Sequence, residues 1–521
     1  MNATAHDESR RPFYFDPRKI PQRDEVIDVD VCVYGNAAAA VLTAVEVLRR
    51  GRSVVLVAPA AELGGMTTGG LGWTDVGRSE AIGGIASEFY EQIGRRYGEA
   101  VRYRFEPGVA AAALAEMIDE AGLDVRRDGF IKSVVVEHQR VREARFHGGL
   151  TVRGRMFIDA SYEGDLMAMA GVPFAVGRES NATYGETLNG QQVSKKHQFE
   201  HPVDPYRRPG VPASGLLPRI DPEPVSEDGD SRIQAFNFRM CLTDDPANRV
   251  AFPKPSGYDP IEYELLARYL ATGWNEVFRK FDRVTETKTD TNNHGAVSTD
   301  FIGANHAWPT ASHAQREVIF QQHVTYQQGL MWFLANDTRV PAKIREAMNA
   351  WGLAADEFAA TGHWPHQLYV RESRRMLGDY VVTEHDCLHG RRADEPIALA
   401  SYTMDAHNAR RIVVDGRVLN EGDVQEIPPS PFPVPYRAVV PPVGSVQNLL
   451  VPVCLSASHI AFGSVRMEPV FMELGQAAAI AACLSVEEGC SLQSLDYAAL
   501  RGELSTAGAV IQTPSTDAVL L

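Results

Sequence analysis

The chain has 521 residues, 44% hydrophobic and 23% charged, with a formal net charge of −16. That size calls for two or three domains, or one large α/β domain with an insertion. The negative charge disfavours nucleic acid and anionic membranes as partners. Six scattered cysteines without a Cys-x-x-Cys pair argue against a disulfide scaffold, a redox dithiol and a cysteine-rich zinc site. The polar opening "MNATAHDESRRPFYFDPRK" lacks a secretory apolar run, and no apolar stretch reads as long enough to span a bilayer. A cytoplasmic protein is expected.

In chain order, "VIDVDVCVYG" is rich in β-branched residues and predicts a buried strand that ends at Gly35. "AAAAVLTAVEVLRR" predicts a helix with an apolar stripe at Val41, Leu42, Val45 and Leu48 and a C-cap at Gly51. "SVVLV" predicts a second strand, parallel to the first. This is the layout of a dinucleotide-binding unit, and its turn nominates Gly35, Asn36, Ala37, Ala38 and Ala39. The usual fingerprint has three glycines, for the turn, for pyrophosphate approach and for helix packing. Here Ala37 and Ala40 occupy the second and third places. Ala58 stands where an acid normally binds the ribose, and Glu62 is the nearest carboxylate in sequence.

The next stretch, "AELGGMTTGGLGWTD", exposes backbone N–H groups and lets the main chain lie against a flat ring. It nominates Gly64, Gly65, Met66, Thr67 and Gly70. This order resembles the FAD-binding domain of the fumarate-reductase and glutathione-reductase flavoproteins. Further on, "IKSVVVEHQRVREARFHGGLTVRGRMFIDASYEGD" predicts three short antiparallel strands and then a buried strand. The resemblance implies that the backbone near Val134 contacts adenine and that Asp159, Ala160 and Gly164 close the adenosine side.

Within residues 201–230, proline, glycine and charge predict a long loop. "TNNHGAVSTDFIGANHAWPTASH" sets polar groups beside aromatics, which suits a hydroxylated, sugar-like substrate. "HAQREVIFQQHVTYQQGLMWFLANDTRVP" predicts a long helix ended by Pro341, with Trp332 and Phe333 in the core. "GHWPHQLYVRESRRMLGDY" predicts a helix beginning at Arg371 and Glu372 and continuing through Arg374 and Arg375. His363 with His366, and His385 with His389, have ligand spacing but no convergent third ligand, so no metal is expected.

Near the end, "LLVPVCL" predicts a strand, "SASHIAFGSVRMEP" a polar loop, and "PVFMELGQAAAIAACL" a helix with Pro469 just inside its start. The helix N-terminus carries partial positive charge and nominates Met467 and Glu468, with Gln476 further along. Aimed at a flavin, it would stabilise the anion formed on hydride transfer.

Taken together, "LGGMTTGGLGWTD", "FIDASYEGDLMAMAGVPFAVGRES", "STDFIGANHAWP", "LYVRESRRMLGDYVVTEHD" and "SASHIAFGSVRMEPVFMELGQAAA" resemble the FAD-dependent oxidoreductase family, sometimes labelled xanthan lyase by association. The resemblance implies a Rossmann-like α/β FAD-binding domain of glutathione-reductase type with an inserted α+β substrate domain. The expected boundaries are 24–178 and 361–500 for the FAD domain and 179–360 for the insertion, with residues near 365–435 shared. It implies an FAD-dependent dehydrogenase or oxidase acting on a small hydroxylated or amine-bearing molecule. His459 is the expected base, and Arg466 and Arg371 the expected charge stabilisers. Alternatives are a flavin monooxygenase and a binding protein descended from a flavoprotein. The expected partners are a small-molecule substrate and an electron acceptor that the sequence does not name. Self-association is left open.

Overall fold

The computed structural model describes residues 10–512 except 227 and 392. Its central sheet is built around β1 (Val26–Tyr34), which pairs in parallel with β2 (Val54–Val57) on one side and β6 (Thr151–Asp159) on the other. β3 (Val125–Arg126) extends the parallel set beyond β2. On its far edge β6 has two partners. Its first half pairs antiparallel with β5 (Arg140–Phe146), which pairs with β4 (Ile131–Glu137). Its second half pairs in parallel with Leu449–Leu450. The third antiparallel strand expected from sequence is therefore the first half of β6 itself.

The βαβ reading holds. Helix α1 (Ala38–Arg49) joins β1 to β2, and Gly51 follows it with φ +70°, the left-handed conformation that ends helices. α1 packs against the long apolar helix Glu468–Glu488. The two backbones come close at Gly475, where a Cβ would lie 2.4 Å from Thr43 Oγ1 and 3.1 Å from the Ala39 carbonyl oxygen. Only glycine fits there without displacement. The long helix is long and apolar enough to cross a membrane, contrary to the sequence expectation, yet 94% of its most apolar window is buried inside the fold.

A second, five-stranded antiparallel sheet runs in the order Arg249–Val250, Gly352–Ala354, Met240–Thr243, Lys288–Thr291, Phe281–Arg283. Helix His313–Asn336 accompanies it. A Ser312–Gln315 capping box starts that helix, and it ends at Asn336, ahead of Pro341, which instead caps the next helix. Phe333 is buried there and Trp332 half-buried. Short ribbons between Pro396 and Pro435 form a further layer.

Two local expectations fail for physical reasons. Residues 371–374 are not helical, and Arg375–Met376 is a strand paired with Phe174–Ala175. Arg371, Glu372, Arg374 and Arg375 are all buried. Extended backbone sends neighbouring charges to separate partners, and a buried charge needs its own. The second failure lies near the end of the chain. The strand there is only Leu449–Leu450, and the expected polar loop holds helix His459–Val465, whose N-cap Ser458 accepts from the Ala461 N–H.

Candidate active site

The carboxyl ends of β1, β2 and β6 meet at Gly35, Ala58 and Ala160. Gly35 has φ +143°, and a Cβ there would lie 2.3 Å from the Ala160 carbonyl oxygen. The one fingerprint glycine that this chain keeps is thus the one that backbone contact demands. Beyond it, Ala37, Ala38, Ala39 and Ala40 are fully buried. α1 has no side-chain cap and no acidic residue in its first turn, so its buried N-terminus suits an anion. Gly64, at φ +100°, donates its N–H to the Asn36 carbonyl at 2.7 Å. Ala58 is fully buried, its N–H bonded to the Arg126 carbonyl and its own carbonyl to the Gly129 N–H. Glu62 is exposed, so β2 supplies no buried carboxylate.

The glycine loop is held by three side chains from elsewhere. Gly65 (φ +51°) would place a Cβ 2.3 Å from the Tyr162 hydroxyl, and Met66 donates its N–H to that hydroxyl at 3.0 Å. Tyr162 in turn donates to Glu468 at 2.7 Å, and Thr67 donates to the other Glu468 oxygen at 2.9 Å. Burial raises the Glu468 carboxyl to about 7 against these two hydrogen bonds. Gln367 accepts from the Asn36 side chain at 2.9 Å and lies against Gly69. A Cβ at Gly70 would strike the Arg239 carbonyl oxygen.

The remaining nominated residues divide. Asp159 accepts from Ser161 and from the Met167 N–H at 2.8 Å, fixing the turn after β6. Gly164, at φ +65°, caps the short helix Asp165–Met169. Met467 is the N-cap of the long helix, with Glu468 its first residue. Val134 lies on β4 and packs in the apolar cluster on the sheet face opposite α1, apart from Ala58. Gln476 sits eight residues, or about 12 Å, along the helix from Glu468. There it accepts from the Ile85 N–H at 3.1 Å, so the structure does not bring it to the turn.

Next to the glycine loop is a cavity of about 630 Å³ whose wall includes Trp73, Asp75, Arg239, Tyr369, Asp405 and His407. His407 is a buried member of that wall. Its Nδ1 is 2.7 Å from Asp300 and its Nε2 is 3.2 Å from Asp405. Burial and Arg371 push the His407 imidazole down, but Asp405 and Asp300 outweigh them and its pKa is raised. Burial raises the Asp300 carboxyl, but Arg371 and His407 bring it down to about 2. Arg371 pairs with Asp300 at 2.9 Å and stacks over Tyr369. Arg466 donates to the Tyr369 hydroxyl and to the Asp405 carbonyl, each at 2.8 Å.

Arg371 and Arg466 therefore converge on this wall from behind, as buried partners of groups that line it. His459 does not line it. Its Nδ1 is 2.8 Å from Glu372, and Glu372 also pairs with Arg375 at 3.0 Å and accepts from Gln234 at 3.2 Å. The same Gln234 accepts from the His407 backbone N–H at 3.1 Å, so the Glu372 network touches the main chain of His407 rather than its ring. His407, Asp405 and Asp300 escaped the sequence reading. "MDAH" holds an Asp-x-His pair, but that spacing alone is common.

A family model described as FAD dependent oxidoreductase matches residues 30–504. The chain belongs to that family. FAD is its cofactor, and the parallel sheet with α1 is the family's Rossmann-like fold. No curated relative matches the chain. Among solved structures it is similar to L-proline dehydrogenase from P. horikoshii, with 13% identity, 30% of this chain and 59% of that one, and a TM-score of 0.25. It is also similar to a geranylgeranyl bacteriochlorophyll reductase-like protein from Thermoplasma acidophilum, with 21% identity, 28% and 43% coverage, and a TM-score of 0.21. A flavin-containing monooxygenase from Stenotrophomonas maltophilia gives 16% identity, 30% and 44% coverage, and a TM-score of 0.21. The chain spans less than two thirds of the length of each of these structures.

The residues fit FAD unevenly. The uncapped, buried N-terminus of α1 fits the pyrophosphate. The ribose end lacks its acid at Ala58, and the glycine loop is engaged by Tyr162, Glu468 and Gln367. Among the described residues, no three His, Cys, Asp or Glu side chains converge as a metal site.

Proposed function

We propose that this oxidoreductase is a dehydrogenase or oxidase acting on a small hydroxylated or amine-bearing molecule bound in the cavity beside the glycine loop. FAD, when bound, supplies the hydride acceptor. The observation that carries the reading is His407 on the cavity wall, held between Asp300 and Asp405. Removing a hydride from a carbon that bears a hydroxyl or amine requires a base for the heteroatom proton. Asp300, kept ionised by Arg371, accepts from Nδ1–H, and Nε2 would take that proton from the neutral imidazole once the substrate's hydroxyl or amine replaces the bond between Nε2 and Asp405. Asp405 faces Nε2 and would hold the substrate hydroxyl or amine against it. Trp73, with Arg104 stacked 3.5 Å over its ring, and Tyr369 border the space for a carbon skeleton, and Arg466 fixes the Tyr369 phenol. His459 serves in this reading as a positioning residue that reaches His407 through Glu372 and Gln234. A cytoplasmic location agrees with six free cysteines, five of them buried.

The test is a panel of polyols, sugar acids, amino alcohols and amines added without oxygen to FAD-loaded protein, read as loss of visible flavin absorbance. The reading expects at least one class to bleach the flavin, and His407→Gln to slow that bleaching by about 100-fold. Bleaching at an unchanged rate in His407→Gln would remove the base from the proposal. No bleaching by any class would remove the substrate assignment.

A further inference from the structure

The cavity beside the glycine loop is charged unevenly along its depth. Its deep end is matched. Arg239 pairs with Asp290, Arg466 with Asp405 and Arg371 with Asp300. Its mouth is not. Arg78, Arg104 and Lys280 are the exposed cations of the lining. Lys280 has Asp282 at 3.3 Å. Arg78 donates to the Pro429 carbonyl at 2.7 Å, and Arg104 lies 3.5 Å over the Trp73 ring. Among the described residues, neither of these two arginines pairs with a carboxylate.

That omission is selective. The chain has 67 acidic residues against 51 basic ones, so carboxylates are plentiful. Arg102 and Arg283 share an outer recess with Arg104, and they pair with Glu99 and Asp244. Arg104 is also held in place. Thr74 donates its N–H to the Tyr103 carbonyl at 3.0 Å, and Phe105 donates to the Gly72 carbonyl at 2.8 Å. The bridge between Trp73 and Arg104 lies between these bonds and sets the guanidinium on the indole. Stacking occupies the face of a guanidinium and leaves its N–H edge for an anion. A side chain so fixed loses little freedom on binding. Deeper in, Asp75 and Asp405 line the cavity. They repel an oxyanion, which the mouth attracts.

We propose that the substrate carries an oxyanion, a carboxylate or a phosphate, at the end remote from its reacting carbon, and that Arg104, supported by Arg78, binds it at the cavity mouth. This rests on the reading of the cavity given above and narrows its substrate class to hydroxy acids, amino acids and phosphorylated alcohols. A neutral polyol or simple amine would leave both guanidinium edges in water.

The test uses the full chain loaded with FAD and compounds matched except for the oxyanion. These are gluconate and sorbitol phosphate against sorbitol, and γ-aminobutyrate against butylamine. Flavin bleaching is read over a range of concentrations at low and high salt. The anionic members are expected to bleach faster, by a margin that shrinks with salt. Arg104→Ala is expected to raise their half-saturating concentration by about tenfold with the limiting rate unchanged, and Arg104→Lys to recover part of the loss. Arg283→Ala removes a charge that is already paired and is expected to change neither. The carboxylate and phosphate arms identify the oxyanion. Neutral members that bleach as fast as anionic ones, or an Arg104→Ala effect equal on both members of a pair, would overturn the oxyanion site and leave the His407 reading standing. If no compound bleaches the flavin, binding of gluconate and of inorganic phosphate is measured by calorimetry. Binding that Arg104→Ala weakens by about tenfold would uphold the oxyanion site without the reaction. No binding of either anion would overturn both.

Discussion

The phosphate turn and the cavity wall are neighbours built on opposite principles. Around Gly35 and the first turn of α1, Ala37–Ala40, the side chains are methyl-sized, fully buried and without charge. Shape there is set by how closely backbones approach, as at Gly35 against Ala160 and at Gly475 against Ala39. Around His407 the side chains are large and charged, and Arg371, Asp300, Asp405 and Arg466 are fixed by one another. A region of the first kind tolerates a change of atom type but not of volume. One of the second kind tolerates small changes of volume but not the loss of a charge.

The sharpest way to break this contrast is to remove a charge from the wall. Arg371→Ala leaves Asp300 buried beside His407 without its guanidinium. It is expected to destabilise the fold by about 3–5 kcal/mol, measured by urea unfolding. His407→Gln keeps a polar side chain and is expected to lower turnover by about 100-fold while leaving FAD affinity unchanged, measured by paired bleaching and fluorescence titrations. A joint loss of FAD binding would mean that the two regions are one unit. Gly475→Ala adds one methyl group to the dry region. It is expected to cost about 1–3 kcal/mol, because Thr43 and the Ala39 carbonyl must give way, and the same unfolding assay checks it.

The smallest expected effect is one of pH. Burial raises the Glu473 carboxyl well above its ordinary range, opposed only by the Gly83 N–H at 2.8 Å. The folded protein therefore keeps a proton that the unfolded chain gives up, and stability falls as pH rises above the ordinary carboxylate range. Glu473→Gln is expected to raise Tm at about pH 8 and to leave it unchanged near the ordinary carboxylate pKa. A Tm shift of equal size at both pH values would show that packing, not the proton, is responsible.

The same contrast explains what could be read from the chain. Periodicity reports the dry region well. The strand, helix and strand of residues 26–57 and the long apolar helix follow from β-branched runs and helix formers. Periodicity misleads where charges are buried. The spacing of Arg371, Glu372, Arg374 and Arg375 resembles a solvated helix face, but the residues are extended and paired in the interior. The polar stretch before the long helix reads as a loop for the same reason, although residues 459–465 are helical and buried. The cavity wall was least legible, because Asp300, Arg371, Asp405, His407 and Arg466 are brought together only by the tertiary fold. Of the three residues nominated for catalysis, two reach that wall from behind and His459 is two side chains removed, behind Glu372 and Gln234.

The most direct measurement is a titration of FAD into the purified, FAD-free chain, followed by visible difference absorbance. The account predicts a shifted flavin band that saturates at about one FAD per chain, with Ala37 and Ala58 accommodated. A flat difference spectrum from a folded protein would contradict it, and would make those two alanines the mark of a site that no longer takes its cofactor.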